Sequence, residues 1–355
     1  MLAQPNELPL SLELEQVYNA AISACRLVTI SGPTADHQHR CFVVAGTSAG
    51  EINAIPCDSA SAHCILMPTR HPNAISAIAA GCLTRPAKSQ PNGMKEIISI
   101  SSDGTLFCTA LTTQNIASSV FYQIIQSNVN AAHIMDVDKD GWDELIVSMT
   151  DRVVRTFRYE TDKKRLTPIH KWDVPSQITA FAIGESSANL CGVEMWLSQM
   201  AANYYVNLDL SKSQANVFPG SVYADSLIMP YRSLYIWLGT SSLVSIIIVA
   251  NQRERLLQNP CGPIRSAAAL KFNSFNVVVT LHATGKDLLI YGYNERNIKD
   301  SSIAPIARVR SLWRSDMLTA CHWADDILIA LSDCSGRINV YRLPITTLKS
   351  LITNS

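Results

Sequence analysis

Seven hairpin-like segments recur along this chain every 40 to 55 residues, and this repeat limits the possible fold more than any other feature. Each segment has a short apolar run, a polar turn and a second run in which apolar and polar residues alternate, as in antiparallel strands. Glycines near several turns supply the positive φ that tight strand reversals need. The turns are centred on Ser48, Asp103, Thr150, Ala201, Ser241, Thr284 and Cys334. Four-stranded propeller blades repeat at about 40 to 50 residues, so the repeat predicts an all-β chain.

We therefore predict a seven-bladed β-propeller of four-stranded antiparallel blades, with one domain over residues 1–345 and a short C-terminal tail over residues 346–355. Leucine alternates with other residues over positions 8–14, so residues 8–17 are predicted to form a strand that completes the last blade and closes the ring. The expected blades cover residues 18–57, 74–112, 120–160, 168–210, 222–251, 264–295 and 305–343. Another all-β arrangement, such as tandem sandwiches, is the alternative.

One segment has the length and apolarity of a membrane-spanning helix. Residues 233–252 contain no charged side chain, and about 20 apolar residues suffice to cross a bilayer. Residues 239–242, Gly-Thr-Ser-Ser, divide the segment into two short runs rich in β-branched residues. This punctuation predicts a buried β-hairpin, with the transmembrane helix as the alternative.

Charge and cysteine usage indicate a cytosolic protein that does not bind nucleic acid. The net charge is zero, which gives no electrostatic reason to expect a nucleic-acid partner. Ten cysteines are present without a C-x-x-C pair, and several lie in apolar runs, where they are predicted to be buried thiols. The first 14 residues contain no basic residue, which is atypical of a signal peptide. Thiols without an export signal favour the cytosol.

An acidic loop between two strand-like runs is the candidate metal site. Carboxylates stand at its first, third, fifth and ninth positions, and a glycine at the sixth allows a sharp bend. The predicted ligands are Asp136, Asp138, Asp140, Trp142 through its main-chain carbonyl, and Glu144. Such a set of oxygens suits one structural calcium ion. A magnesium ion, or an acidic turn whose aspartates cap nearby amides without any metal, is the alternative.

Other chemistry has little support in the sequence. His37 and His39 lie in a polar linker and are weak candidates for a metal cluster. Arg152, Arg155 and Arg158 surround valines in the third hairpin, which indicates either a solvated strand face or a contact surface for an acidic partner. The chain has no Gly-rich phosphate loop, no G-x-S-x-G and no H-E-x-x-H, so we predict that it is not an enzyme and has no catalytic residues.

The acidic loop and the hairpin after it resemble a known family. Residues 136–141, Asp-Val-Asp-Lys-Asp-Gly, followed by Glu-Leu-Ile-Val at 144–147, are similar to the FG-GAP repeat of integrin alpha propellers. With residues 150–159, which begin Thr-Asp-Arg-Val-Val-Arg, they resemble the family of integrin-alpha FG-GAP repeat-containing protein 2. The first blade departs from the pattern, because it lacks an acidic loop.

The resemblance implies a function as well as a fold. It implies a non-enzymatic propeller in the KICSTOR scaffold, with a kaptin-like propeller and other KICSTOR subunits as its partners. That scaffold holds the GATOR GTPase-activating complex at the lysosome and restrains TOR signalling when amino acids are scarce. The chain would then be cytoplasmic and would reach the lysosomal membrane only through its partners. The alternative is a calcium-binding adhesion-type FG-GAP propeller in an extracellular or lumenal setting.

Overall fold

A computed structural model describes most of the chain, including all of the acidic loop. The described residues are 6–7, 11–32, 39–57, 64–86, 93–174, 176–185, 193–199, 204–209, 214–219, 226–231, 234–239, 246–249, 256–257, 261, 264–272, 275–293, 302–311 and 313–354. The strands and the helix within them are β1 (Asn6–Glu7), β2 (Ser11–Val17), β3 (Ile22–Ile30), β4 (Arg40–Thr47), β5 (Glu51–Pro56), β6 (Ile65–Arg70), β7 (Ile75–Gly81), β8 (Met94–Ser101), β9 (Thr105–Thr112), β10 (Ala117–Ile124), β11 (Val129–Met135), β12 (Glu144–Met149), β13 (Val153–Glu160), β14 (Arg165–Asp173), β15 (Ile178–Glu185), β16 (Val193–Gln199), β17 (Tyr204–Asp209), β18 (Gln214–Pro219), β19 (Ser226–Tyr231), β20 (Leu234–Gly239), β21 (Ile246–Val249), β22 (Leu256–Leu257), β23 (Ile264–Lys271), β24 (Asn276–His282), β25 (Asp287–Tyr293), β26 (Ser302–Ile303), β27 (Ala307–Arg310), β28 (Met317–Trp323), β29 (Asp326–Ser332), β30 (Arg337–Pro344) and α1 (Ile345–Asn354).

The chain divides into two compact units. The N-terminal unit comprises Glu13–Ile178 and Cys334–Ile338. The C-terminal unit comprises Met1–Leu12, Thr179–Asp333 and Asn339–Ser355.

The N-terminal unit contains three four-stranded antiparallel sheets. Their strand orders are β3-β4-β5-β6, β10-β9-β8-β7 and β11-β12-β13-β14. The first three predicted hairpins are confirmed as β4–β5, β8–β9 and β12–β13. Gly50 and Gly104 lie at two of these turns with φ of 80° and 88°, which is the left-handed region where glycine is favoured.

The outer strands differ from the sequence prediction. β6, β10 and β14 each pair with the hairpin before them, whereas the predicted blades ended one strand earlier. Residues 120–124 and 168–173 therefore lie in the second and third sheets rather than in the third and fourth blades. Outer strands face solvent and do not show a strict alternation of buried and exposed residues, as the pattern of β14 illustrates. Their sequence signal is correspondingly weak.

Adjacent sheets of the N-terminal unit approach closely at two glycines. A Cβ on Gly46 would lie 2.6 Å from the Cβ of Ile75, the first residue of β7. A Cβ on Gly81 would lie 2.3 Å from Ile134 Cγ2, near the end of β11. Both distances are far below normal van der Waals contact, so only glycine fits at either position.

A buried histidine connects the first and second sheets. His71 follows β6, and its ring nitrogens lie 2.8 Å from Ser99 Oγ and 3.1 Å from Ser101 Oγ on β8. Ser101 Oγ also donates to Asp103 Oδ1 at 2.5 Å in the next turn. The imidazole meets the ring of Phe107 edge-on at 4.7 Å. The imidazole and both serines are almost fully enclosed, with His71 only 2% exposed, whereas Asp103 at the end of the network is exposed.

The N-terminal strand is found slightly later than predicted. β2 covers Ser11–Val17, and residues 8–10 lie outside the described part. Within the N-terminal unit, Tyr18 N donates to the Gly336 carbonyl at 2.8 Å, and Glu15 lies 3.5 Å from Arg337. Closure of a ring by this strand stays a prediction.

The C-terminal unit contains larger and smaller sheets than the four-stranded blades that were predicted. Two five-stranded sheets have the orders β19-β20-β21-β22-β26 and β1-β27-β25-β24-β23. β15-β16 and β17-β18 form separate two-stranded sheets, so the predicted fourth blade is not one continuous sheet in the described residues. β28 and β29 pair antiparallel. The structure thus confirms the all-β class, while a count of seven blades stays a prediction.

The apolar segment at residues 233–252 forms strands where it is described. β20 pairs with β21 in antiparallel register, with Tyr235 opposite Val249. The predicted hairpin is therefore confirmed over these strands. In the described part of the chain, no helix has both the length and the apolarity to cross a bilayer.

The predicted C-terminal tail is mostly a helix. α1 buries Ile345 and Leu348 in a cluster formed with β24, β25, β27, β29 and β30. A Cβ on Gly292 would lie 2.5 Å from Ile352, so the helix approaches the backbone of β25 directly. A ten-residue helix is marginal by itself in water, and this packing accounts for its stability.

Candidate metal centre

The acidic loop joins β11 to β12 in the third sheet. It begins at Asp136, directly after β11, and reaches Glu144, the first residue of β12. Lys139 and Gly141 have φ of 60° and 92°. These two left-handed residues turn the chain sharply within the acidic loop.

Loop carboxylates bind the loop's own backbone. Asp136 Oδ2 accepts a hydrogen bond from Gly141 N at 2.8 Å. Asp138 Oδ1 accepts from Asp140 N at 3.3 Å, and Asp140 Oδ1 accepts from Trp142 N at 2.9 Å. Short aspartate side chains favour such local bonds because they can reach amides two residues further on.

Glu144 is buried at the base of the loop. Its Oε2 accepts a hydrogen bond from Val137 N at 2.8 Å, and its Oε1 accepts one from Arg158 Nε at 2.8 Å. Burial raises the pKa of Glu144 to about 7, although both hydrogen bonds act in the opposite direction. Glu144 therefore fixes the start of the loop to the start of the strand that follows it.

Arg158 brings a guanidinium group into the middle of these acids. Its Nη2 lies 2.7 Å from Asp138 Oδ2 and also contacts Glu144 Oε1, and its Nη1 lies 3.0 Å from Asp140 Oδ2. Burial opposes the charge of Arg158, but its bonds to Glu144 and Asp138 outweigh this and raise its pKa. Burial also disfavours ionisation of Asp138, but Arg158 outweighs that effect and lowers the pKa of this carboxyl.

The predicted ligand set can be compared with the requirements of a cation. Oxygens of Asp136, Asp138 and Glu144 lie within 4.8 Å of one another, the only such group of potential ligands among the described residues. Asp136 Oδ1 is buried and has no hydrogen-bond partner, which suits a cation. However, the guanidinium of Arg158 contacts the carboxylates of Asp138, Asp140 and Glu144. With Arg158 in contact with three carboxylates, the residues as arranged here do not fit a calcium ion. Whether the loop binds calcium is not tested by this arrangement and stays a prediction.

The corresponding loop of the second sheet has the same glutamate without the acidic residues. Glu96 pairs with Gly81 as Glu144 pairs with Met135, so the two glutamates occupy equivalent register positions. Glu96 Oε2 accepts hydrogen bonds from Leu83 N at 2.6 Å and Thr84 N at 2.9 Å. A glutamate at this position thus holds the backbone of the preceding loop whether or not that loop is acidic.

The contacts of two residues at this site could not be predicted from the sequence. The sequence places Arg158 on a strand face, but its partners in the loop follow from the pairing of β12 with β13. The only sequence signal for Glu96 is its place directly before an apolar run. The weaker histidine candidate is not supported in the described part, where His39 belongs to no metal-ligand cluster. His37 lies outside the described residues.

Comparison with solved structures identifies the class of fold. A chain of the crystal structure of BBS1N in complex with ARL6DN gives a TM-score of 0.63 at 11% identity, over 95% of this chain and 97% of that one. The β-propeller domain of Cps50 (Swd1) from Myceliophteria thermophila gives 0.59 at 10% identity, over 92% and 99%. Identities this low concern the fold alone, and the fold is that of a β-propeller.

Within that class, one family matches in sequence. The family model described as integrin-alpha FG-GAP repeat-containing protein 2 matches residues 75–226, so the predicted resemblance is confirmed over this region. KICSTOR complex protein ITFG2 of Mus musculus is 29% identical over 136 residues, which are 33% of this chain and 30% of that protein. The Bos taurus protein of the same name is 32% identical over 96 residues, which are 25% and 18%. The chain thus spans less than a third of the length of the curated relatives it matches.

Proposed function

We propose that this chain is a non-enzymatic scaffold propeller of the KICSTOR type. The observation that carries the proposal is the family match over residues 75–226, together with two relatives named as KICSTOR complex proteins. The matched region includes the second and third sheets and the acidic loop. In that loop the carboxylates bind backbone amides and Arg158, which suits a structural role rather than a catalytic one.

The proposal extends to partners and location. The chain would associate with a kaptin-like propeller and other KICSTOR subunits, and it would be cytoplasmic. Through those partners it would be recruited to the lysosomal membrane surface, help to tether the GATOR GTPase-activating complex there, and restrain TOR signalling when amino acids are scarce.

A calcium-binding adhesion-type propeller is the second candidate: the loop has the spacing of a calcium site, although Arg158 contacts three of its carboxylates. Its cysteines offer a test, since Cys57 and Cys108 are free, buried thiols. Alkylation of the denatured, unreduced protein should label both residues in full. Protection of either one until a reductant is added would favour an oxidising compartment and the adhesion-type propeller.

Affinity purification tests the scaffold proposal. The tagged chain, expressed in cells of its own source, is expected to recover a kaptin-like propeller identified by mass spectrometry. Single aspartate substitutions at exposed apolar residues of the three outer strands, Leu66, Ile124 and Ile169, sample the blade edges. Ser118→Asp on β10 is the matched polar control. Recovery of the wild-type chain only as a free monomer would overturn the proposal.

A further inference from the structure

The register of the third sheet places a cation opposite the acidic loop. Leu145 on β12 pairs with Phe157 on β13, so Glu144 and Arg158 stand directly opposite each other at the next position. Side chains opposite each other in antiparallel strands lie about 5 Å apart at Cβ. From this position the long arginine side chain reaches beyond the strand end and contacts Asp138 and Asp140 as well.

The second sheet provides an internal comparison. There Glu96, the equivalent of Glu144, pairs with Ala110 instead of an arginine. The loop before Glu96 carries Cys82 and Thr84 at the positions that correspond to Asp136 and Asp138. The arginine and the acidic loop are thus present together in one sheet and absent together in the other.

A similar pair occurs in the C-terminal unit. Arg342 on β30 lies 3.6 Å from Asp326, the first residue of β29. There an acid that begins a strand is again bound by an arginine from the following strand, and β29 is preceded by a short turn rather than an acidic loop. This strand-end pairing therefore does not depend on a metal site.

From these observations we propose that Arg158 is the built-in cation of the acidic loop and holds it folded in place of a metal ion. The guanidinium neutralises part of the charge of Asp138, Asp140 and Glu144, and it donates directed hydrogen bonds to Asp138 and Glu144. The loop, despite its calcium-binding spacing, would keep its conformation at any calcium concentration. This inference is independent of the proposed scaffold function.

Calcium dependence of thermal unfolding tests the proposal. The wild-type midpoint is expected to agree within about 1 °C in EGTA and in roughly 10 mM calcium. Arg158→Gln leaves Asp138, Asp140 and Glu144 without their cation, so its midpoint in EGTA should fall below that of the wild type. Calcium should then raise the midpoint of this variant by roughly 2 °C or more, the effect of a weak site near saturation.

Terbium luminescence, sensitised by the adjacent Trp142, gives a second readout. A one-site signal is expected for Arg158→Gln and not for the wild type. Arg158→Lys keeps the charge and should bind no terbium, and Arg165→Gln on β14 controls for loss of an exposed arginine. If Arg158→Gln does not fold, Asp138→Asn in the same chain removes one repelling charge and should restore folding.

Three kinds of result would overturn the proposal. One is cation binding by the wild type, seen either as a midpoint that falls on chelation or as a terbium signal at a single site. The second is an Arg158→Gln protein as stable in EGTA as the wild type. The third is a destabilised Arg158→Gln protein that does not respond to calcium, because Arg158 would then not stand where a cation can bind.

Discussion

Substitution of His71 by phenylalanine should reveal how much the buried imidazole network stabilises the N-terminal unit. Phenylalanine keeps a ring against Phe107 but removes both hydrogen bonds to the serines of β8. The hydroxyl of Ser99 then loses its hydrogen-bond partner, and because Ser99 is only 3% exposed this loss costs about 1–3 kcal/mol. Ser101 retains Asp103, so the lost bond to His71 adds only about 1 kcal/mol. The expected decrease in the free energy of unfolding at pH 7 is therefore about 2–4 kcal/mol.

The same histidine makes this difference depend on pH. Burial lowers the pKa of His71 to about 4, although Asp103 and a backbone bond at Thr105 act in the opposite direction. The unfolded chain, with a histidine pKa of about 6.5, binds the proton more readily between pH 4 and pH 6.5. Stability from the neutral imidazole is therefore present above pH 6.5 and is lost as the pH falls. Linkage gives a loss of about 2 kcal/mol between pH 7 and pH 5.

Urea unfolding of both proteins at pH 7 and pH 5 measures the effect. The gap between wild type and His71→Phe should shrink by about 2 kcal/mol at pH 5, because the variant lacks this titration. Glu144, whose raised pKa gives the opposite pH dependence, is present in both proteins and cancels in the difference. His170→Phe on β14 removes an exposed imidazole and is the control. Parallel loss of stability in wild type and His71→Phe would refute the reasoning.

Further predictions concern a pair of turns, a buried acid and the terminal helix. Gly104→Ala should lower the unfolding midpoint much more than Gly141→Ala, because both positions have positive φ but only the first would place a Cβ 2.3 Å from the Ile125 carbonyl. Equal effects in differential scanning calorimetry would contradict the role of that contact. Glu96→Ala leaves two loop amides of the second sheet without acceptors and should cost roughly 2–5 kcal/mol in urea unfolding. Leu348→Ala should cost about 2–5 kcal/mol, since its side chain is fully buried, and a cost below 1 kcal/mol would show that α1 does not contribute to the core.

Much of the strand framework was predictable because its signals are local. The turns at Gly50 and Gly104 and the alternating runs around them lie within a few residues of each other, and they specify hairpins before any tertiary contact forms. Outer strands such as β10 were assigned to the wrong blade, since their exposed faces carry Tyr122 and Ile124 instead of a polar alternation.

Helix α1 and the candidate site were less predictable for a different reason. The helix has no acidic residue in its first turn and no basic residue in its last, so its main support is the apolar cluster around Leu348. The ligand spacing of the loop was visible in the sequence, but the contacts of Arg158 follow from the register of β12 and β13. The hydrogen bonds of His71 were likewise not predictable, because they depend on the position of Ser99 and Ser101 on β8 in the folded chain.

The two close-fitting glycines have a consequence for how this repeat could be recombined. Gly46 receives Ile75 at the beginning of an innermost strand, whereas Gly81 receives Ile134 near the end of one. The first and second sheets therefore fit closely at the start of β7, whereas the second and third sheets fit closely near the end of β11. In a chimera that exchanged the second and third sheets, Gly46 would no longer face Ile75 and Gly81 would no longer face Ile134, so both close fits would be lost. The sheets share one strand order, but the position of the glycine and of the isoleucine that packs on it differs from one junction to the next.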